Sequence, residues 1–267
     1  MTNNTSLNKN DLAKDLASQG AIEIVKKLAP NPIDIIGIGT GSTVAFFIKR
    51  LADAFNSGYI QARPVCTSSL ATIDLCQSLG INIFPAIPRD GLKIVVDGAD
   101  EIDLKSHGII KGGGAASLAE KDIARASLRC GGNFVIIAEK SKCSEKLGSI
   151  YTYGVPVHIR PETRLITQHA LEVEFSAKAY LRNAVVRNGL SEKLEVINGK
   201  SGCYGNLYTR ENDFIVDVRF DGAEIPLDFN ERALKLPGVV GTGLFANEDS
   251  PNIVITADSE AYTIINW

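Results

Sequence analysis

Short apolar runs alternate with amphipathic segments along the first half of the chain. Five of these runs have the length and composition of β-strands, and they cover residues 33–38, 64–67, 81–84, 92–96 and 133–138. The other segments follow a rough 3.6-residue apolar period, which predicts helices over residues 11–28, 42–55, 69–79 and 115–128. Strands that alternate with helices predict βαβ units, and therefore an α/β fold with a doubly wound, mostly parallel sheet.

The pattern changes after about residue 148. The predicted elements of this part are a strand at 155–159, a long helix at 162–188, and three short strands at 195–197, 205–209 and 213–218. This order is typical of an α+β unit. The apolar segments 244–245 and 252–256 resemble the first half again. We therefore predict one α/β domain formed by residues 1–147 and 246–267, and a smaller α+β domain formed by residues 148–245.

Composition and charge narrow the class of protein. Hydrophobic residues make up 45% and charged residues 22% of the 267 residues, as in an ordinary globular protein. The net charge of -3 lacks the basic excess of a nucleic-acid binder, and no apolar run approaches the ~20 residues of a membrane span. The polar start of the chain shows no signal-peptide pattern, and the five cysteines form no Cys-x-x-Cys pair. We expect a cytoplasmic protein.

The first candidate site is a glycine-rich turn from a strand into a helix, with the sequence Gly-Ile-Gly-Thr-Gly-Ser-Thr at residues 37–43. Such a turn exposes backbone N–H groups at a helix N-terminus, where they bind phosphate. The turn has no lysine for a P-loop, and Ser42 stands where the dinucleotide fingerprint needs its third glycine. A nicotinamide cofactor is therefore disfavoured. Two interpretations stay open: a phosphate site, or a tight turn with Ser42 as the helix cap.

The second candidate site is an acidic loop with the sequence Asp-Gly-Ala-Asp-Glu-Ile-Asp at residues 97–103. Four acids in seven residues repel one another. An EF-hand is excluded because Ala99 occupies the third position of the loop. The loop is either a solvated acidic turn or a functional site. Its place directly after a buried strand favours the functional interpretation, because ligands of open parallel sheets bind at the carboxyl ends of strands.

The third candidate site is the sequence Lys-Gly-Gly-Gly-Ala-Ala at residues 111–116. Three consecutive glycines cost backbone entropy, and they suit a place where the chain must approach a ligand closely. Lys111 supplies a cation, and Glu120 on the following helix has no ion-pair partner at helical spacing. A phosphate cradle, paired carboxylates, a lysine and a lone glutamate together suit proton transfer beside the carbonyl of a phosphorylated small molecule.

These motifs resemble those of the type A ribose-5-phosphate isomerase family. The matching segments are residues 37–43, 97–102, 111–116, 120–121, 141–142 and 238–245. The resemblance implies an aldose–ketose isomerase that interconverts ribose 5-phosphate and ribulose 5-phosphate and needs no metal or other cofactor. It also implies a doubly wound α/β domain with a smaller ferredoxin-like α+β domain, and assembly as a homodimer or homotetramer.

The resemblance further implies a role for each matching residue. Glu120 would move the proton between C2 and C1, and Lys111 would stabilise the enediolate oxygen. Asp97 and Asp100 would help to open the sugar ring and would bind hydroxyls. The residues implied to bind substrate are Thr40, Gly41, Ser42, Thr43, Gly98, Ala99, Gly112, Gly113, Gly114, Lys142 and Lys14. Outside these positions, His158 stands where the family usually has a glutamate.

Two other classes of protein stay open. A sugar-phosphate-sensing binding domain would normally follow a DNA-binding helix-turn-helix, but only about thirty residues precede the first predicted strand. A CoA transferase on a related fold would use Glu120 as an acyl nucleophile, but the sequence shows no motif for a CoA-binding surface. We therefore expect an enzyme whose partner is a small sugar phosphate, and which binds neither nucleic acid nor a membrane.

Overall fold

The computed structural model describes residues 8–63, 65–185, 204–206, 209 and 212–267. Within these residues, the α-helices are α1 (Lys9–Leu28), α2 (Ser42–Asn56), α3 (Leu70–Ser78), α4 (Ser117–Leu128), α5 (Arg164–Phe175) and α6 (Phe229–Ala233). The β-strands are β1 (Ile36–Ile38), β2 (Val65–Thr67), β3 (Ile94–Asp97), β4 (Glu101–Asp103), β5 (Gly108–Ile110), β6 (Asn133–Glu139), β7 (Cys143–Ser144), β8 (Val155–Ile159), β9 (Lys178–Leu181), β10 (Asn183–Val185), β11 (Tyr204–Asn206), β12 (Phe214–Arg219), β13 (Val239–Thr242), β14 (Leu244–Phe245), β15 (Ile253–Ala257) and β16 (Tyr262–Asn266).

A six-stranded sheet in the order β16-β15-β6-β3-β1-β2 forms the centre of the fold. Strands β15, β6, β3, β1 and β2 run parallel, and β16 pairs antiparallel with β15 at one edge. Every residue of β1 and β3 is buried, which explains why these strands lack the apolar–polar alternation of a half-exposed sheet. The strand order confirms the predicted doubly wound, mostly parallel sheet, and the C-terminal segment returns to it beside β6.

Helices cover both faces of this sheet. In β3, the side chains of Ile94 and Val96 enter the core that α1 and α2 cover. The side chain of Val95 enters the opposite core, where it packs with Ile123 of α4. Because successive side chains of a strand point to opposite faces, one short apolar run supplies both cores.

The later part of the chain forms an antiparallel sheet in the order β13-β8-β12-β9. Its core includes Val157 of β8, Val216 of β12, Leu171 of α5 and Phe229 of α6. This arrangement confirms the predicted smaller α+β part of the fold. The division of the chain at 147/148 and 245/246 stays a prediction.

The helix predicted over residues 162–188 is wrong in its second half. Helix α5 ends at Phe175, and Ser176 adopts a left-handed conformation with φ of 48°. The chain then reverses and forms β9, which pairs with β12. Residues of β9 are alternately exposed and buried, a strand pattern that differs from the helical period predicted for this segment. The predicted strand at 195–197 lies outside the described residues.

Several further short elements differ from the sequence prediction. The predicted strand at 81–84 is reduced to a single bridge between Val65 and Ile83. Strands β4 and β5 were not predicted, and they form a small sheet in the order β14-β5-β4-β7. Each of these strands has three residues or fewer, which is too short for apolar periodicity to identify.

Candidate active site

The candidate active site lies where three neighbouring parallel strands end. Strand β1 leads into the turn at residues 39–43, β3 leads into the acidic loop, and β6 ends at Glu139. The glycine turn at residues 111–114, which follows β5, lines the same space. Together these segments enclose a cavity of about 480 Å³. The cavity lies at the carboxyl ends of the strands, where open parallel sheets bind their ligands.

The cavity brings together all but one of the predicted site residues. The predicted residues that line it are Lys14, Thr40, Gly41, Ser42, Thr43, Gly98, Ala99, Asp100, Lys111, Gly112, Gly113, Gly114, Glu120 and Lys142. The exception is Asp97, which is fully buried and contacts Lys111. Asn10, Glu139 and Ser141 also line the cavity and were not predicted. Glu139 could have been predicted from the sequence, because it is an acid at the end of a buried strand, as Asp97 is.

Helix α2 begins at the cavity without a side-chain cap. Gly41 is the N-cap residue, with φ of 117°, and Ser42 is the first helical residue. The interpretation of Ser42 as the cap is therefore wrong. Because the first N–H groups of a helix have no partner inside the helix, the backbone at Ser42 and Thr43 offers donors at the cavity.

A lysine and a carboxylate of the cavity lie beside the start of α2. Lys14 is 12% exposed, and its Nζ lies 4.0 Å from Oε1 of Glu139. The hydroxyl of Thr43 donates to Oε2 of Glu139 at 3.0 Å. The hydroxyl of Thr43 therefore already donates its proton to a carboxylate of the protein. Ser42, by contrast, is exposed and lines the cavity.

Asp97 is held at the base of the acidic loop. Its Oδ1 accepts hydrogen bonds from the N–H of Gly98 at 2.7 Å and of Thr40 at 3.2 Å, and its Oδ2 lies 2.9 Å from Nζ of Lys111. Burial raises the pKa of Asp97, and Lys111 and the two N–H groups oppose that rise. A Cβ at position 39 would lie 1.8 Å from Cγ of Asp97, so only glycine fits beside this carboxyl group.

Lys111 joins the two buried acids of the site. Its Nζ lies 3.4 Å from Oε2 of Glu120 and donates to the carbonyl of Gly98 at 2.5 Å. Burial by itself lowers the pKa of this ammonium group, but the charges of Asp97 and Glu120 outweigh burial and raise it. Lys111 is therefore a fixed positive charge whose side chain is almost completely shielded from water.

Glu120 lies in the first turn of α4 and is only 2% exposed. It is buried because Ile123 and Ala124, one turn further along the same face, pack into the core of the sheet. Burial is the main cause that raises the pKa of Glu120 to about 8, and the negative charge of Asp97 adds to it, while Lys111 opposes both. The site thus contains a carboxyl group that titrates close to neutral pH.

The acids of the acidic loop have different roles. Asp100 is half-buried at the cavity, and its Oδ2 accepts the N–H of Gly113 at 2.8 Å. Glu101 is fully buried, and its carboxylate accepts the N–H groups of residues 148–151. Asp103 accepts the N–H groups of the turn that follows it. The interpretation as a solvated acidic turn is therefore wrong.

His158 contacts the helix that carries Glu120. It is fully buried in β8, and its Nε2 lies 2.8 Å from Oγ of Ser117, the first residue of α4. Burial lowers the pKa of His158 to about 3, and the charges of Arg182 and Lys121 act in the same direction. The side chain of His158 is therefore an uncharged imidazole.

Two features are absent from the residues that the structure describes. Within them, no three His, Cys, Asp or Glu side chains are grouped so that they could hold a metal ion. The same part of the chain has no helix with the length and apolar character that a membrane crossing requires. The site does contain the titratable carboxyl group of Glu120 beside the ammonium of Lys111. The N-terminus of α2, Lys14 and Lys142 line the same cavity. This arrangement defines a class of enzyme that transfers a proton on a small phosphorylated molecule.

Comparison with known proteins agrees with that class. The model of the family described as ribose 5-phosphate isomerase A (phosphoriboisomerase A) matches residues 65–260. The chain is 32% identical over 257 residues to ribose-5-phosphate isomerase A of Polaromonas sp. (strain JS666), which covers 96% of this chain and 93% of the relative. It is 34% identical over 227 residues to the protein of the same name from Thermococcus kodakarensis, which covers 85% and 87%.

Solved structures give the same result. A D-ribose-5-phosphate isomerase in complex with phospho-erythronic acid matches with a TM-score of 0.78 at 28% identity, over 98% of this chain and 100% of that one. Ribose 5-phosphate isomerase from Plasmodium falciparum matches with a TM-score of 0.77 at 25% identity, over 95% and 99%. The chain belongs to the ribose 5-phosphate isomerase A family, the aldose–ketose isomerases that interconvert ribose 5-phosphate and ribulose 5-phosphate. The predicted isomerase is thus favoured over the sensing domain and the CoA transferase.

Proposed function

We propose that Glu120 is the group that moves the proton in this isomerisation. The observation that carries the proposal is a buried carboxyl group that borders the cavity 3.4 Å from the ammonium of Lys111. The reaction removes a proton from the carbon beside a carbonyl and returns it to the neighbouring carbon, and one carboxylate above both carbons can do both steps. With a pKa of about 8, the ionised form is a stronger base than an ordinary glutamate.

Lys111 stabilises the oxygen that becomes negative when the proton leaves. Asp97 and Glu120 keep the lysine charged, so the cation is in place before the reaction begins. A charge that needs no reorganisation in a water-poor site lowers the energy of the enediolate more than the same charge would in water. Asp97 holds Lys111 in position. Asp100, which is half-buried at the cavity, accepts hydrogen bonds from sugar hydroxyls.

The phosphate of the substrate binds at the opposite end of the cavity. The N–H groups at the start of α2 and the hydroxyl of Ser42 donate to it, and Lys14 and Lys142 supply positive charge. Between the two ends, backbone of the turns at 40–43, 98–99 and 112–114 approaches the sugar. The solved relative in complex with phospho-erythronic acid supports a phosphorylated ligand for this chain.

The substitution Glu120→Gln tests the assignment, because it keeps size and polarity and removes the base. We expect kcat to fall by ~10²–10⁴-fold with little change in KM, which is the usual contribution of a general acid–base group. The variant should also stop exchanging the C2 hydrogen of the substrate with solvent deuterium. Glu139→Gln is the matched control, since it removes another cavity carboxylate and should leave the exchange intact. If Glu120→Gln kept near-normal kcat, Asp97 or Asp100 would become the candidate base.

We also propose that the protein assembles as a homodimer or homotetramer through the outer face of α5. Ile166, His169 and Val173 recur at helical spacing on this face and are exposed, at 58% for Ile166 and 66% for Val173. Apolar side chains that are exposed along one face of a helix are typical of an interaction site. The double substitution Ile166→Asp with Val173→Asp should reduce the mass measured by light scattering to that of one chain. An unchanged mass would place the interface elsewhere.

Finally, we propose the cytoplasm as the compartment of this enzyme. The support is that Cys66, Cys76, Cys130 and Cys143 are all free thiols in the structure, which suits a reducing environment. Cell fractionation with an antibody to the chain tests this, and recovery with a membrane or secreted fraction would contradict it.

A further inference from the structure

The glycine turn of the site is also held from the antiparallel sheet. Arg182 directly follows β9 and is 2% exposed. Its Nε donates to Oδ2 of Asp217 in β12 at 2.8 Å, and its Nη2 donates to Oδ1 of the same carboxylate. Its remaining terminal nitrogen, Nη1, donates to the carbonyl oxygen of Gly112 at 2.6 Å. One guanidinium group therefore connects β12 to the turn that lines the cavity.

This contact fixes a particular peptide group. The carbonyl of Gly112 and the N–H of Gly113 belong to the same planar unit. Arg182 and the N–H of Ala115 both donate to the carbonyl end, the latter at 3.0 Å, and Oδ2 of Asp100 accepts the N–H end at 2.8 Å. Gly112 has φ of 108°, and a Cβ at position 113 would lie 2.8 Å from Oδ1 of Asp100. The glycines therefore permit a peptide that is held at both ends, with its N–H already used by Asp100.

We propose that Arg182, oriented by Asp217, is a positioning residue for the isomerisation. It sets the orientation of the peptide between Gly112 and Gly113, and the N–H of that peptide sets where the carboxylate of Asp100 meets the sugar. This inference rests on the proposed role of Asp100 in binding the substrate. Without Arg182, the carbonyl keeps only the N–H of Ala115, which belongs to the same glycine-rich turn and can move with it, so the flexible glycines allow the peptide to rotate. A rotated peptide would present a carbonyl oxygen to Asp100 in place of a donor, and the two groups would repel each other.

Energetic reasoning supports a positioning role over a purely stabilising one. A buried ion pair is weak evidence for stability, because the cost of removing two charges from water offsets their attraction. A guanidinium group that binds a carboxylate through two nitrogens is held in a single orientation, and this orientation also fixes the direction of its remaining N–H donors. Here two donors are used to fix the guanidinium on Asp217, and a third is thereby aimed at the carbonyl of Gly112.

The test removes the pair without leaving a buried charge. In the double variant Arg182→Met with Asp217→Leu, we expect kcat/KM for ribose 5-phosphate to fall by ~10–100-fold, the scale of a small misplacement of a substrate-binding group. Arg182→Lys keeps Asp217 paired but loses the planar fork, and it should show the same loss, so that a folding failure of the double variant leaves the proposal testable. The control Arg232→Met with Glu174→Gln removes an ion pair elsewhere in the α+β part and should have wild-type activity.

The discriminating measurement repeats these substitutions in an Asp100→Ala background. If Arg182 acts through Asp100, removing the pair costs little further activity there. An equal loss in both backgrounds, or no loss in the presence of Asp100, would overturn the inference. If Asp100→Ala alone had normal kcat/KM, the proposed substrate contact would be wrong, and this inference would fall with it while the assignment of Glu120 would stand.

Discussion

The raised pKa of Glu120 predicts an activity that depends strongly on pH around neutrality. The carboxyl group must be ionised to accept a proton from carbon, and its pKa is about 8 in place of the ordinary 4.5. At pH 7 roughly a tenth of the molecules would carry the base, and at pH 6 roughly a hundredth. We therefore expect kcat/KM to fall about tenfold for each pH unit below about 8. A glutamate with an ordinary pKa would give a flat profile over the same range.

The assay is the initial rate with ribose 5-phosphate well below KM, from pH 6.5 to 9 at constant ionic strength. The lower limit keeps the second ionisation of a phosphate ester, near pH ~6, outside the window. Asp100→Asn supplies a matched perturbation, because the charge of Asp100 helps to raise the pKa of Glu120. Its profile should bend at lower pH than that of the wild type. A profile that is flat from pH 6.5 to 9, or one that falls as pH rises toward 8, would refute the reasoning.

Four further predictions concern the phosphate end of the cavity, the stability of the protein and the effect of chelation. Ser42→Ala should raise KM by about tenfold and weaken competitive inhibition by inorganic phosphate equally, as expected for one hydrogen bond to a charged group. Thr43→Val should raise KM less, because the hydroxyl of Thr43 already donates to Glu139. Calorimetry should find that Glu120→Gln unfolds at a higher temperature than the wild type above pH 8, with the difference vanishing below about pH 4.5. The folded protein binds the Glu120 proton more tightly than the unfolded chain, so wild-type stability falls between those pH values by up to ~1.4 kcal/mol per unit. Exhaustive chelation should leave turnover unchanged, and recovery of a lost activity by Mg²⁺ or Zn²⁺ would contradict the roles given to Lys111 and its two acids.

Much of the fold and the location of the site could be predicted from local sequence. The apolar runs that become β3 and β6 are continuous because both faces of the sheet are covered, and such runs are visible without any structure. The glycine turns and the acidic loop mark strand ends. Because parallel strands bring their carboxyl ends to one edge, motifs far apart in sequence could be expected to meet there.

The long helix predicted over 162–188 shows where local pattern is insufficient. Its second half becomes strand because Ser176 turns the chain back and β12 offers an edge for β9 to pair with. That pairing partner lies more than thirty residues away along the chain. For the same reason Arg182 carried no signal as a residue of the site, since its contacts with Asp217 and Gly112 exist only after both sheets have formed.

Local sequence identifies the side chains that are capable of the chemistry, whereas the fold determines which of them meet at the cavity. Asp97, Asp100, Glu101 and Asp103 are equivalent as a run of acids, but packing directs only the first two to the site. Glu120 has no partner at helical spacing and acquires Lys111 only through the fold. The raised pKa of Glu120 also arises from the fold, because burial and the charges nearby in space set a pKa. Neither of these can be read from neighbouring positions in the chain.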